Sequence, residues 1–151
     1  MLVFFKFLII FSLLFALVSV IEITKKNNKK LILILKKPEF KKNNKLNKTF
    51  LDQYVKNSNN FNKFELDKFA YKNLNKNNFV EINNKIKEKY SDKIKLVNLY
   101  SIICSEVEET CEIVSDNLSK NFYDYGHFTL NGSKYFGNKI IQSKFYKNLL
   151  N

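Results

Sequence analysis

The order of the apolar segments predicts an α/β fold, of the kind found in the second half of a parallel sheet with right-handed crossovers. Three observations carry this. Two short runs, Leu31–Leu35 and Ile94–Leu99, have the length and Leu/Ile/Val content of buried strands. Amphipathic stretches lie between them, and another follows the second. The resulting order is strand, helices, strand, loop, helix. A length of 151 residues allows one domain, and no internal repeat is evident.

The first 21 residues precede this pattern. Phe7 to Ile21 is an apolar run broken only by Ser12 and Ser19, with Lys6 before it. Together with Met1 to Phe5 it approaches the ~20 residues needed to cross a bilayer. A cleaved signal peptide and a transmembrane signal anchor fit residues 1–21 equally well, because Ala16-Leu17-Val18-Ser19 is a poor cleavage site. Residues 22–30 read as a polar linker and 31–151 as the folded domain. Lys25, Lys26, Lys29 and Lys30 would hold this end of the run in the cytosol. Three Asn-x-Ser/Thr sequons, at Asn47, Asn117 and Asn131, and a pair of cysteines argue for export. Export is favoured, because the Lys excess runs through the whole chain.

Leu31–Leu35 is apolar throughout, which predicts a strand buried on both faces and ended by Pro38. Between 40 and 78, Phe50, Leu51, Tyr54 and Val55 recur at helical spacing. So do Phe64, Leu66, Phe69, Ala70 and Leu74, predicting one or two amphipathic helices. Phe79–Tyr90 reads as a stronger helix, with Val80, Ile82 and Ile86 on its apolar side. Ile94–Leu99 is the second strand. Ser101–Tyr125 reads as a loop carrying Cys104 and Cys111. Thr129 is placed to cap a last helix through Leu149 or Leu150, with Phe136, Ile140, Phe145 and Leu149 near one face.

The composition narrows the function. The net charge is +12, from 26 basic and 14 acidic residues, and every basic residue is Lys. Nucleic-acid sites favour the bidentate fork of Arg, and these Lys are scattered among Asn, so they read as a solvated surface rather than a nucleic-acid face. In an exported protein Cys104 and Cys111 are expected to pair. One His and two Cys do not supply the four N/S ligands of a structural zinc site, so no metal and no cofactor are expected.

The chemistry concentrates in Asp124-Tyr125-Gly126-His127, which holds the chain's single histidine. A histidine can act as general base near neutral pH, since imidazole titrates at about 6.5. A carboxylate on one ring nitrogen fixes the tautomer and steadies the imidazolium. The spacing lets Asp124 fold back onto His127. A D-x-x-H alone is common, and then reads as a turn aspartate beside a helix-entry histidine. Here its surroundings are specific: a cysteine pair and an aromatic turn upstream, and Phe128-Thr129-Leu130-Asn131-Gly132 downstream.

Together these residues resemble the C-terminal block of SGNH hydrolases, in particular the SGNH domain fused to membrane-bound acyltransferase-3 proteins, in the form abundant in nematodes. That block ends in Asp-x-x-His, an aliphatic or aromatic residue, Ser or Thr, two variable residues and Gly, matching D-Y-G-H-F-T-L-N-G. The Cys104–Cys111 segment resembles that family's paired cysteines, and Leu31–Phe40 its strand-then-Pro segment. The resemblance covers residues 31–146 and is most specific over 94–140.

The resemblance implies a three-layer α/β/α SGNH-like (flavodoxin-like) fold, here an incomplete second half behind an N-terminal hydrophobic helix. It implies acyl-ester chemistry, with Asp124 as orienting acid, His127 as base and Thr129 capping the helix. The family's serine attacks an acyl carbonyl, and Gly and Asn from other loops complete the oxyanion hole. This chain departs from that pattern. It has no Gly before position 126, so the Gly-Asp-Ser block, the second-block Gly and the Gly-x-Asn-Asp block are absent. The expectation is an N-terminally truncated relative of O-acyltransferases and acyl esterases. It would face acylated glycan or lipid outside the cytosol, membrane-anchored or secreted, and would be inactive or incomplete as this chain. The alternative is a non-catalytic binding protein with a degenerate SGNH fold.

Overall fold

The structure is a computed structural model that describes residues 16–41, 52, 54–55, 62–76, 79–143 and 146–147. Among the described residues the architecture is mixed α/β, with helices and two small sheets. In chain order the elements are β1 (Ile32–Ile34), α1 (Lys63–Lys72), α2 (Val80–Tyr90), β2 (Lys95–Val97), α3 (Leu99–Ile103), β3 (Cys104–Ser105), β4 (Thr110–Cys111) and α4 (Leu130–Gln142). The chain divides into two compact units, Met1–Ile34 with Asn84–Val97, and Leu35–Asn83 with Asn98–Asn151.

In the first unit residues 16–26 are helical, so the helix runs into the stretch read as linker. Asn28 closes it with a φ of 52°, a left-handed conformation that Asn tolerates. The Lys29 and Asn28 N–H groups return to the carbonyls of Thr24 (2.8 Å) and Lys25 (3.0 Å), the paired bonds of a Schellman cap. Most of the apolar leader lies outside the described residues. Among those described, no helix is long and apolar enough to cross a membrane.

β1 and β2 pair in parallel, with Leu33 opposite Leu96, as the two apolar runs predict. Leu31, Leu33 and Leu96 pack on Ile21, Tyr90 and Ile94. The expectation that β1 is buried on both faces is corrected: Ile32 is 46% and Ile34 59% exposed. Side chains alternate along a strand, and only the face bearing Leu31 and Leu33 is covered.

The second unit carries the larger core. In α1, Asn62 caps the N-terminus by accepting from the Glu65 N–H at 2.9 Å. Leu66 and Ala70, with Leu74 beyond the helix, enter a core that also holds Phe40, Phe79, Ile103, Ile113, Phe122 and Phe136. Phe64, expected on this face, is exposed. Asp67 is buried instead and is used as a polar tie. Its Oδ1 accepts from the Ile113 N–H (3.0 Å) and its Oδ2 from Lys63 (2.7 Å). Asn83 forms a second tie, exchanging two hydrogen bonds with the Lys36 backbone at 2.9 and 2.8 Å. The helix expected around Phe50 and Leu51 lies largely outside the described residues; Tyr54 and Val55 are helical and touch the core.

The stretch expected as one loop from Ser101 is more ordered. It opens with α3 and continues as an antiparallel hairpin in which Cys104 faces Cys111. The hairpin turn presents Glu106, whose carboxylate accepts from the hydroxyls of Tyr71 and Tyr100. Those two bonds, Tyr100's the larger effect, hold the Glu106 carboxyl below its ordinary titration range. α4 ends at Gln142, short of the expected Leu149 or Leu150. Ser143 is responsible: its backbone turns extended and its hydroxyl bonds the Ile140 carbonyl at 2.6 Å. Its Oγ then accepts from the Tyr146 N–H at 3.2 Å. Phe145 and Leu149 lie outside the described residues.

Candidate active site

The Asp124–His127 motif sits at the tip of a tight loop whose ends are locked together. Phe122 and Phe128 form an antiparallel bridge. The Tyr123 N–H donates to the His127 carbonyl at 2.7 Å, and the Thr129 N–H to the Asn121 carbonyl at 3.0 Å. Beneath the loop, the Phe122, Phe128 and Phe136 rings lie 5.0–6.0 Å apart, and Phe40 meets Phe122 edge-on at 5.0 Å. The Phe40 N–H also reaches the Tyr125 carbonyl at 2.7 Å. Aromatic packing thus fixes the base of the loop and backbone bonds fix its course.

Two residues after the histidine explain how α4 seats against this loop. Thr129 Oγ1 accepts from the Gly132 N–H at 2.9 Å, the expected N-cap, and donates to the Lys120 carbonyl at 2.6 Å. Gly132 is required by proximity: a Cβ built there would lie 1.9 Å from the Asn121 carbonyl oxygen. Asn121 is fully buried and bonds the carbonyls of Ile113 (2.8 Å) and Glu112 (3.1 Å) through its backbone N–H and side-chain amide. The T-x-x-G signal was legible in the sequence; the part played by Asn121 was not, since nothing local marks it.

Within the loop Asp124 makes three bonds. Its Oδ1 accepts from the N–H groups of Gly126 (2.9 Å) and His127 (2.8 Å), and its Oδ2 meets His127 Nδ1 at 2.7 Å. Partial burial opposes ionisation of the carboxyl. The two backbone donors and the imidazole outweigh it and hold Asp124 below its ordinary range. The His127 side chain is 65% exposed and that of Asp124 30%. Tyr125 stands edge-on to the imidazole at 5.7 Å. With Nδ1 taken by the carboxylate, a neutral ring presents Nε2 as its proton acceptor. No described residue bonds Nε2, and no described serine or threonine hydroxyl is bonded to His127.

The other sequence-derived residues are placed as follows. Cys104 and Cys111 are joined by a disulfide. Asn117 and Asn131 are exposed, while Asn47 lies outside the described residues. Asn117 Oδ1 accepts from Ser115 Oγ (2.6 Å) and the Ser119 N–H (3.2 Å), and the Asn131 amide reaches Ser115 Oγ at 3.3 Å. Among the described residues no cluster of His, Cys, Asp and Glu is arranged to hold a metal ion.

No curated protein matches the chain. Among solved structures it is similar to the periplasmic domain of the lipopolysaccharide acetyltransferase of Salmonella ser. Paratyphi A, with a TM-score of 0.63 at 18% identity. That match covers 89% of this chain and 47% of the Salmonella domain, so this chain spans about half of its length. A likeness at this identity is one of fold. The family model described as "SGNH domain (fused to AT3 domains)" matches residues 10–142. The chain belongs to the family of SGNH domains of the kind fused to AT3 domains.

Proposed function

We propose that this chain carries the acid–base half of an acyl-transfer centre on a three-layer α/β/α SGNH-like fold, with His127 as general base and Asp124 as the residue that aims it. The observation that carries this reading is the 2.7 Å Nδ1–Oδ2 bond, with Nε2 unbonded by any described residue. A nucleophilic hydroxyl placed at Nε2 would lose its proton to His127 on attacking an acyl carbonyl, and the imidazolium would then be steadied by Asp124. The substrate class is an O-acyl group on a glycan or lipid. An extracytosolic setting is supported by the Cys104–Cys111 disulfide, and by the similarity to a periplasmic domain. In that setting Asn47, Asn117 and Asn131 are candidate glycan acceptors, and residues 1–21 are the membrane or signal segment.

In this reading no described serine or threonine hydroxyl is bonded to His127, and the chain is inactive or incomplete by itself. That same observation favours a second reading, a binding domain in which the Asp–His pair is structural. A serine-directed fluorophosphonate probe separates the two. The native protein from its source membranes or secretions is treated with the probe, and species containing this chain are captured. Labelling that disappears in His127→Ala supports the acyl-transfer reading. Absence of labelling in natively folded protein sinks it and leaves the binding reading.

A further inference from the structure

A second candidate site lies at the C-terminal end of α1, within the same unit as the Asp124–His127 loop. Phe40 and Leu74 form an antiparallel bridge. The Lys41 N–H donates to the Asn73 carbonyl and the Asn75 N–H to the Glu39 carbonyl, each at 2.8 Å. These bonds lay residues 39–41 alongside 73–75. A cavity of about 410 Å³ opens there, lined by Lys41, Tyr71, Lys72, Asn75, Lys76 and Glu109. That volume falls within the range of small-molecule sites.

Its lining carries three lysines and Glu109, and with Lys76 set against Glu106 the balance is left positive by Lys41 and Lys72. Lys76 is held in place, donating to the Tyr71 hydroxyl at 3.2 Å and lying 3.6 Å from Glu106. Lys41 and Lys72 form no ion pair with a described residue. Three of the carbonyls at the end of α1, which would repel an anion, are capped by Asn73. Its backbone N–H is shared among Phe69, Ala70 and Tyr71, and its amide bonds Phe69 at 2.8 Å. Glu109 arrives from the disulfide-closed hairpin turn with a φ of 53°, a conformation that favours glycine. As a lining residue, Glu109 adds a hydrogen-bond acceptor to an otherwise basic site.

From this arrangement we infer that the cavity binds a small phosphate monoester carrying free hydroxyls, with the phosphate between Lys41 and Lys72 and the hydroxyls on Asn75 and Glu109. The lysines supply point charges for phosphate. The acidic rim favours an ester with hydroxyl donors over the bare ion. This inference stands independently of the acyl-transfer reading.

The test is calorimetric titration of the full chain at constant ionic strength, with inorganic phosphate and with glycerol 3-phosphate as probes. Both are expected to saturate, and the ester to bind more tightly. The double variant Lys41→Gln/Lys72→Gln is expected to weaken both by about tenfold or more, the worth of a lost charge-assisted bond. Glu109→Gln is expected to weaken the ester relative to the bare ion. Lys134→Gln, on exposed α4 surface, and His127→Ala are expected to change neither. Unaltered affinity in the double variant would overturn the site. Inorganic phosphate binding as tightly as the ester would overturn the ligand assignment.

Discussion

Gly132 lies so close to Asn121 that a single added methyl group would stand 1.9 Å from the Asn121 carbonyl oxygen. The obstacle is backbone on an otherwise buried segment, so it cannot swing aside. Gly132→Ala is expected to force the N-terminus of α4 away from the 121–129 segment, at a cost of about 3 kcal/mol from overpacking. Urea unfolding measures the loss. Helix propensity alone favours Ala over Gly, so a neutral or stabilising result would contradict the close packing.

Asp124 makes stability depend on acid in a definite direction. Its folded carboxyl titrates below the ordinary value, so its bonds are fully present above the ordinary carboxylate range and are lost as pH falls through the lowered point. Asp124→Asn keeps an acceptor for the Gly126 and His127 N–H groups and removes the charge. The wild type is expected to lose stability below about pH 4 relative to the Asn variant. Parallel unfolding curves for the two proteins over that range would contradict this.

Asp67 works with the opposite sign. Burial, the largest effect, raises its carboxyl despite the Lys63 and Ile113 bonds. The native state therefore takes up a proton before the unfolded chain does. Stability rises as pH falls from neutral through the raised point, and levels off below the ordinary value of 3.8. Asp67→Asn should flatten that rise. Asp67→Ala leaves the buried Ile113 N–H with the Cys111 carbonyl, at 2.8 Å, as its remaining acceptor, and is expected to cost about 1 kcal/mol. Thermal unfolding as a function of pH reads both effects.

Reduction of Cys104–Cys111 opens a loop with a sequence separation of seven. The expected loss is about 2–3 kcal/mol, small because the closed loop is short. The hairpin also carries Glu106, so the bonds to Tyr71 and Tyr100 should loosen with it. Tyrosine fluorescence and melting temperature, followed with and without reductant, are expected to shift together. Cys104→Ser/Cys111→Ser should reproduce the reduced protein.

The parts of the fold legible in the sequence were those with local causes. The parallel pairing of Leu33 with Leu96, the Thr129 cap, the Cys104–Cys111 bond and the helix over Val80–Tyr90 follow from apolar runs, a capping residue, cysteine spacing and periodicity. The misses have non-local causes. The exposure of Ile32 and Ile34 depends on which face other segments cover. Nothing local marks Asp67 as buried, because its partner Ile113 lies 46 residues away. In the candidate site, the Asp124–His127 bond was readable from spacing. The support from Asn121 and Phe40 was not, because both reach the loop from outside the motif. The early end of α4 is the exception with a local cause, the Ser143 hydroxyl bonding back to the Ile140 carbonyl three residues earlier.

The Tyr123–His127 and Asn121–Thr129 backbone bonds close the loop on itself, with both Asp124 oxygens engaged inside it. This makes the loop a fixed-length device. Tyr125 or Gly126 could be exchanged for residues that tolerate the same path. One residue inserted or deleted between Asp124 and His127 would break the closure and part carboxylate from imidazole in the same step. Related chains that keep this chemistry should therefore vary in letters here and never in length, which makes the segment a fixed reference mark for aligning far more divergent relatives.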